Sequence, residues 1–153
     1  MKAIVSLGSN IHPRGEYLRR AREMLSALPE TYLLAASSII ETEPEGVAPA
    51  FKHMKFLNQI VVFESYITAQ QFSKRMHEIE LALGRVRTIR NGPRTIDIDL
   101  IDFGGLKIDT PELTLPHPRS AGRQFVQRPL AELVAKLGDN ALVSDLEKHL
   151  HEC

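Results

Sequence analysis

The densest chemistry in the chain lies between Gly84 and Leu100, GRVRTIRNGPRTIDIDL, where four arginines precede two carboxylates. Thr95, Ile96, Asp97, Ile98, Asp99 and Leu100 alternate polar with apolar. That period of two predicts a β-strand with Asp97 and Asp99 on one face and Ile96, Ile98 and Leu100 on the other. Two like charges about 7 Å apart, at an effective dielectric near 20, repel by about 2 kcal/mol. A bound divalent cation reverses the sign of that interaction. Oxygen ligands with no clustered cysteine or histidine favour Mg²⁺ over zinc or copper, and Mg²⁺ completes its shell with water and phosphate oxygens. Arg85, Arg87, Arg90 and Arg94 surround an Asn91-Gly92-Pro93 turn just upstream. Guanidinium groups grip phosphate oxygens bidentately and stay charged. Together the carboxylate pair and the arginines predict a polyphosphate site.

Composition narrows the class. A chain of 153 residues with 43% hydrophobic residues suits one compact domain, 1–153. Its 19 basic and 19 acidic residues cancel, so global charge gives no reason to expect nucleic acid or an anionic membrane as partner. Cys153 is the only cysteine, which excludes an internal disulfide framework and fits the reducing cytoplasm. The apolar run from Ala3 to Leu7 is too short for a signal peptide or a membrane span. Neither a G-x-G-x-x-G nor a G-x-x-x-x-G-K-[ST] motif is present, so Rossmann and P-loop sites are excluded.

The elements that must position these residues can be read in order. Lys2 to Leu7 predicts a buried strand, turned by Gly8-Ser9-Asn10 towards a helix opened by Pro13, with Leu18, Ala21, Leu25 and Leu28 as its apolar stripe. Arg14, Arg19, Arg20 and Arg22 are expected mostly on the opposite, solvated face. Tyr32 to Thr42 predicts a second strand running into a Pro- and Gly-rich loop, and Lys55 to Tyr66 a third. Asn58 shares a face of that third strand with Phe56, Ile60 and Val62; an amide there suits either the edge of a heterocycle or a bond to nearby backbone.

Thr68 and Gln71 predict a capping box for a helix with stripe Ala69, Phe72, Met76, Ile79 and Leu83, ending at Gly84. Gly104-Gly105 predicts a two-residue hairpin joining Leu100–Phe103 to Leu106–Asp109, with Asp102 on the isoleucine face and outside the metal site. His117, between Pro116 and Pro118, is either a phosphate donor or an ordinary loop histidine. Pro129 is expected to open a helix closed by Gly138, and Ser144 with Glu147 to cap a short last one. The order βαββαβ, followed by a hairpin and helices, predicts an α+β, ferredoxin-like sandwich. That fold hosts many functions and decides none.

The motifs decide more. G-R-V-R followed by G-P-R-T-I-D-I-D-L, with L-P-H-P-R and R-Q-F-V-Q-R-P-L downstream, resembles the 6-hydroxymethyl-7,8-dihydropterin pyrophosphokinases of folate biosynthesis. The resemblance runs from Leu7-Gly8-Ser9-Asn10 to Pro129-Leu130. It implies transfer of the β,γ-diphosphate of ATP to the hydroxymethyl group of the pterin, with release of AMP. It further implies that Asp97 and Asp99 hold two Mg²⁺ ions and that Arg85, Arg94, His117 and Arg123 contact phosphate. Arg87 and Arg90 then belong in or beside a lid, and Arg119 fits a phosphate role as well. The pterin lies, by the same resemblance, between Phe56 and Phe125, read by Asn58 and lined by Thr42 and Pro44, with Asp97 near its hydroxymethyl group. His77 and Glu80 fall near the nucleotide. The implied partners are ATP and the pterin, with no nucleic acid and no membrane, for a monomeric enzyme.

Asn91 and Glu45 depart from residues common in the family, and the shorter arginine loop bears on lid closure. A member that binds ATP or pterin without turnover is therefore the alternative. An RRM shares the βαββαβ order, but FLNQIVVF lacks the aromatic and basic pattern of its RNA-binding strand.

Overall fold

The computed structural model describes residues 1–44, 49, 53–84 and 95–150. Strands β1 (Lys2–Ser9), β2 (Thr31–Ala36), β3 (Ile40–Thr42), β4 (Phe56–Ser65) and β5 (Asp97–Phe103) form one sheet. All its pairings are antiparallel, in the order β2-β4-β1-β5, with β3 pairing β4 beyond β2. The predicted second strand is thus two short strands on one partner. Counted as one, they give the strand order of a ferredoxin-like α+β domain, as the sequence predicts.

Alternation along the strands builds a core on each face. Val5 and Leu7 of β1, Val61 and Phe63 of β4 and Ile98 and Leu100 of β5 pack under α1 (Arg14–Ser26) and α2 (Ala69–Ala82). Ile4, Ile60, Val62 and Ile101 pack under α3 (Gln124–Leu137) and α4 (Val143–Glu147). The predicted stripes lie where period and burial require. Leu18, Ala21 and Leu25 of α1 are buried, as are Phe72, Met76 and Ile79 of α2. At the start of α2, Thr68 Oγ1 accepts from the Gln71 N–H and Gln71 Oε1 from the Thr68 N–H, the reciprocal box the sequence predicts.

Several expectations are corrected. Strand β1 continues through Gly8 and Ser9, so Gly8 is a strand residue rather than part of a turn. Two of the four arginines expected on the solvated face of α1 are structural. Arg14 donates to the Lys55 carbonyl and pairs with Glu41, and Arg22 donates to Gln59 Oε1. The Gly104-Gly105 turn exists, with φ of 60° and 74°, but β6 (Ile108–Asp109) pairs with β7 (Thr114–Leu115) instead of returning along β5. Pro129 lies inside α3, which begins at Gln124 after Arg123 as its N-cap. A proline in that place gives up one helical bond, to the Phe125 carbonyl, while the first turn forms ahead of it. Ser144 also lies inside its helix, donating to the Ala141 carbonyl, and no side chain caps α4.

Asp102 is the correction that bears most on the site. Val5 pairs with Leu100 but Ile4 with Asp102, so Ile101 is an extra residue in β5. That bulge reverses the alternation and turns Asp102 to the face of Asp97 and Asp99, away from Ile98 and Leu100.

Candidate active site

Gly8 of β1 pairs with Asn58 on one side and with Asp97 on the other. The three residues therefore form one row across three strands, with Asn58 and Asp97 two strand spacings apart, about 10 Å. Ile60, Ser6 and Asp99 form the next row. Both rows face α3. Asn58 is buried to 1% exposure, and its Nδ2 donates to Thr42 Oγ1 at 2.5 Å. Its partner is thus a side-chain hydroxyl rather than the backbone. Its Oδ1 lies over Gly8, where an added Cβ would stand 3.1 Å from that oxygen and 3.6 Å from the Phe56 ring. The absent side chain leaves a trough floored by backbone between an oriented amide and a carboxylate.

Burial along β5 alternates as predicted, with Ile96, Ile98 and Leu100 buried and Asp97 and Asp99 half-buried. Among the described residues no cluster of three or more His, Cys, Asp or Glu surrounds a common point. Two half-buried carboxylates on one face fit Mg²⁺, which keeps water and phosphate oxygens in its shell; they do not fit a closed zinc site. Asp102 stays outside this pair despite facing the same side, because it has other partners. The Gly105 N–H donates to its Oδ1 at 3.2 Å, and His149 Nε2 lies 3.2 Å from its Oδ2. Burial raises the Asp102 pKa, but His149 and the N–H groups of Phe103 and Gly105 outweigh it and hold the carboxyl below its ordinary value.

His117 lies beside the pair. Its backbone N–H donates to the Ile101 carbonyl, and Nε2 is 3.9 Å from Asp99 Oδ1. The Arg119 backbone N–H donates to Nδ1 at 3.2 Å, so a neutral ring carries its proton on Nε2, the nitrogen facing Asp99. Burial lowers the His117 pKa, and the charges of Arg123 and Arg119 lower it further against the opposing pull of Asp97. The ring is therefore a neutral donor at pH 7. Arg123 places its guanidinium 5.2 Å from the centre of the Phe125 ring, a cation–π distance. Phe56, at the start of β4, and Phe125, at the start of α3, lie on the same side of the sheet.

Sequence reasoning missed a cleft along the open edge of β5. Ser73, Met76 and His77 of α2 face Ile98, Asp99 and Leu100 across it, and Leu113, Thr114, His117 and Pro118 form the far wall, enclosing about 170 Å³. No local motif marks it, because its walls come from segments far apart in the chain. The family resemblance puts Glu80 near the nucleotide. It is buried to 2% exposure, and its Oε2 accepts the Ile98 N–H at 2.9 Å, which covers part of the strand edge between the two aspartates. His77, 3.2 Å from Glu80 Oε1, does line the cleft.

Arg85, Arg87, Arg90 and Arg94 lie outside the described residues, as do Glu45 and Asn91. Pro44 follows β3 at the edge of the described segment, two residues beyond Thr42.

A model of the 7,8-dihydro-6-hydroxymethylpterin-pyrophosphokinase family matches residues 4–135. The chain belongs to this family. The matched span runs from β1 into α3 and takes in Asn58, Asp97, Asp99, His117 and Arg123, leaving α4 beyond it. Similar to this family member are three proteins named 2-amino-4-hydroxy-6-hydroxymethyldihydropteridine pyrophosphokinase. The protein of Bacillus subtilis is 36% identical over 95% of this chain and 86% of its own length. That of Pseudomonas aeruginosa is 35% identical over 89% of this chain and 82% of its own. That of Methylorubrum extorquens is 38% identical over 89% and 84%. No described helix is long and apolar enough to cross a membrane.

Proposed function

We propose that the chain, acting as one domain, is a diphosphokinase of folate biosynthesis that transfers the β,γ-diphosphate of ATP to the hydroxymethyl group of 6-hydroxymethyl-7,8-dihydropterin. Family membership supports the activity. The observation that carries the site assignment is the row Asn58, Gly8, Asp97. A flat heterocycle laid over Gly8 meets the Asn58 carbonyl at one end and reaches Asp97 at the other, about the length of a bicyclic ring with its substituent. Asn58 is held by Thr42, so its acceptor is already aimed and loses little freedom on binding. Phe56 and Phe125 supply the apolar faces that such a ring requires.

In the reaction the hydroxymethyl oxygen bonds to the β-phosphorus of ATP. The bond from that phosphorus to the α,β-bridging oxygen breaks, AMP leaves with the oxygen, and the hydroxyl proton passes to solvent. Two Mg²⁺ ions held by Asp97 and Asp99 would neutralise the triphosphate and acidify the alcohol. His117 would donate a hydrogen bond from Nε2 to a phosphate oxygen while keeping its proton, and Arg123 and Arg119 add positive charge that cannot be lost. Arg85, Arg87, Arg90 and Arg94 complete the anion site from the loop before β5. The cleft between α2 and β5 accepts the nucleoside, since it opens beside Asp99 and His117 and its walls are largely apolar.

Incubating the protein with ATP, Mg²⁺ and the reduced hydroxymethylpterin tests this function. AMP and the pterin diphosphate should appear in equal amounts. ADP in place of AMP, or no pterin product, refutes it.

A further inference from the structure

Ile101, Asp102, His149, Gln127, Ser120 and His117 form a closed circuit around the turn that carries the proposed phosphate ligands. It starts at the β5 bulge, where the Ile101 carbonyl takes the His117 N–H at 2.9 Å and the neighbouring Asp102 approaches His149 at 3.2 Å. The ring nitrogen approaches the carboxylate closely there without the alignment of a well-directed hydrogen bond. The circuit closes through Gln127. Its Nε2 donates to the Ser120 carbonyl at 3.0 Å and to the His149 carbonyl at 3.0 Å. Ser120 in turn donates from Oγ to the His117 carbonyl, and its own carbonyl takes the Arg123 N–H as well.

Gln127 is 6% exposed, between Val126 and Leu130 on the apolar side of α3. A buried amide there costs free energy unless its hydrogen bonds are made. Both N–H groups are used, and each goes to a different segment: one to the turn before α3, the other to the chain after α4. Proteins use such doubly committed buried amides to fix one backbone against another.

We infer that Gln127 is a positioning residue for diphosphate transfer, holding the 117–123 turn against the segment around His149 so that His117 and Arg123 meet the triphosphate in register. Gln127 touches neither substrate; it acts through the turn. The inference rests on the proposed function, and it adds that the segment after α4 is part of the scaffold of the phosphate site.

Two variants separate positioning from simple stability. Gln127→Leu keeps the volume and removes both donors; Gln127→Glu keeps the shape and sets an acceptor against two carbonyls. The control is Leu25→Val, in the core on the other face of the sheet, which lowers stability without touching the turn. Two readouts are taken on all proteins: steady-state kinetics with ATP and pterin varied separately, and hydrogen exchange of the amides of His117, Arg119 and Arg123. Both Gln127 variants should exchange those amides about tenfold faster than the control, after correction for global stability. They should also lose about tenfold in kcat or in kcat/KM for ATP, with KM for the pterin within about twofold of the parent. Exchange and turnover that match the control would overturn the inference, and so would a loss confined to pterin KM. A parent protein that makes no AMP refutes the proposed function instead, and the exchange comparison still judges the clamp.

Discussion

Asn58 and Asp97 stand on opposite sides of Gly8 in a single row of the sheet, with the Asn58 carbonyl oxygen over the glycine. The strand through Gly8 is ordinary extended backbone, so glycine is there for what its side chain would fill and not for its φ. Gly8→Ala should therefore fold. Its methyl would stand 3.1 Å from Asn58 Oδ1, forcing the amide to shift by a few tenths of an ångström and raising the trough floor. Pterin affinity is expected to fall about tenfold while ATP affinity stays within about twofold, as calorimetric titration of each ligand would show. Unchanged pterin affinity would remove the trough from the site.

The Thr42 hydroxyl holds the Asn58 amide, so the two make a unit. Asn58→Ala removes the acceptor and should weaken pterin binding more than ATP binding. Thr42→Val leaves the acceptor but strands a buried N–H, at a cost of about 1–3 kcal/mol in stability. Chemical denaturation and pterin titration of both variants check this. A Thr42→Val protein as stable as the parent would mean that Asn58 finds its partner elsewhere.

The direction in which the two aspartates project, and the local signals at the helix ends, are legible in the sequence, for reasons particular residues make plain. Asp97 and Asp99 lie on an edge strand with a core on one face and an open site on the other, so hydrophobic alternation reports their direction faithfully. The Thr68 and Gln71 capping box and the Gly138 helix end are local signals, satisfied by neighbours in the chain. What was not legible depends on partners distant in sequence. Only pairing with β1 shows that Ile101 is a bulge and that Asp102 has changed face. Only the burial of Val126 and Gln127 shows that α3 begins before Pro129. The Gly104-Gly105 turn was readable, but the partner of Ile108 and Asp109 was not, because β7 lies across the following turn. The cleft beside β5 draws on α2, β5 and the residues around β7, which no single motif spans.

Glu80 accepts the Ile98 N–H from within the apolar layer, between the two aspartates. Glu80→Ala leaves that donor buried without its carboxylate, and β5 should loosen where Asp97 and Asp99 project. A stability loss of about 1–3 kcal/mol is expected, together with a fall in turnover larger than that of an equally destabilised variant elsewhere. Thermal melts and kinetics on one preparation test it. Parent-like turnover in a destabilised Glu80→Ala protein would make the residue structural only.

His117 gives a pH dependence. Burial first, and then Arg123 and Arg119, depress its folded pKa below the ordinary 6.5. Between the folded value and 6.5 the unfolded chain binds more protons than the folded one. The stability that comes from a neutral ring is therefore complete above about 6.5 and is lost as pH falls through the folded value. Relative to a His117→Gln variant, the parent should lose stability more steeply as the solution is taken below 6.5. Parallel stability curves for the two proteins across that range would contradict the neutral-donor assignment.

The central claim, that the Asp97 and Asp99 pair recruits magnesium to the triphosphate, is tested most directly by AMP formation in Asp97→Ala and Asp99→Ala at saturating ATP, pterin and Mg²⁺. Removing a metal ligand from a phosphoryl-transfer site should lower turnover at least about a thousandfold in each, with circular dichroism like that of the parent. Both variants releasing AMP at near-parent rates would contradict the claim.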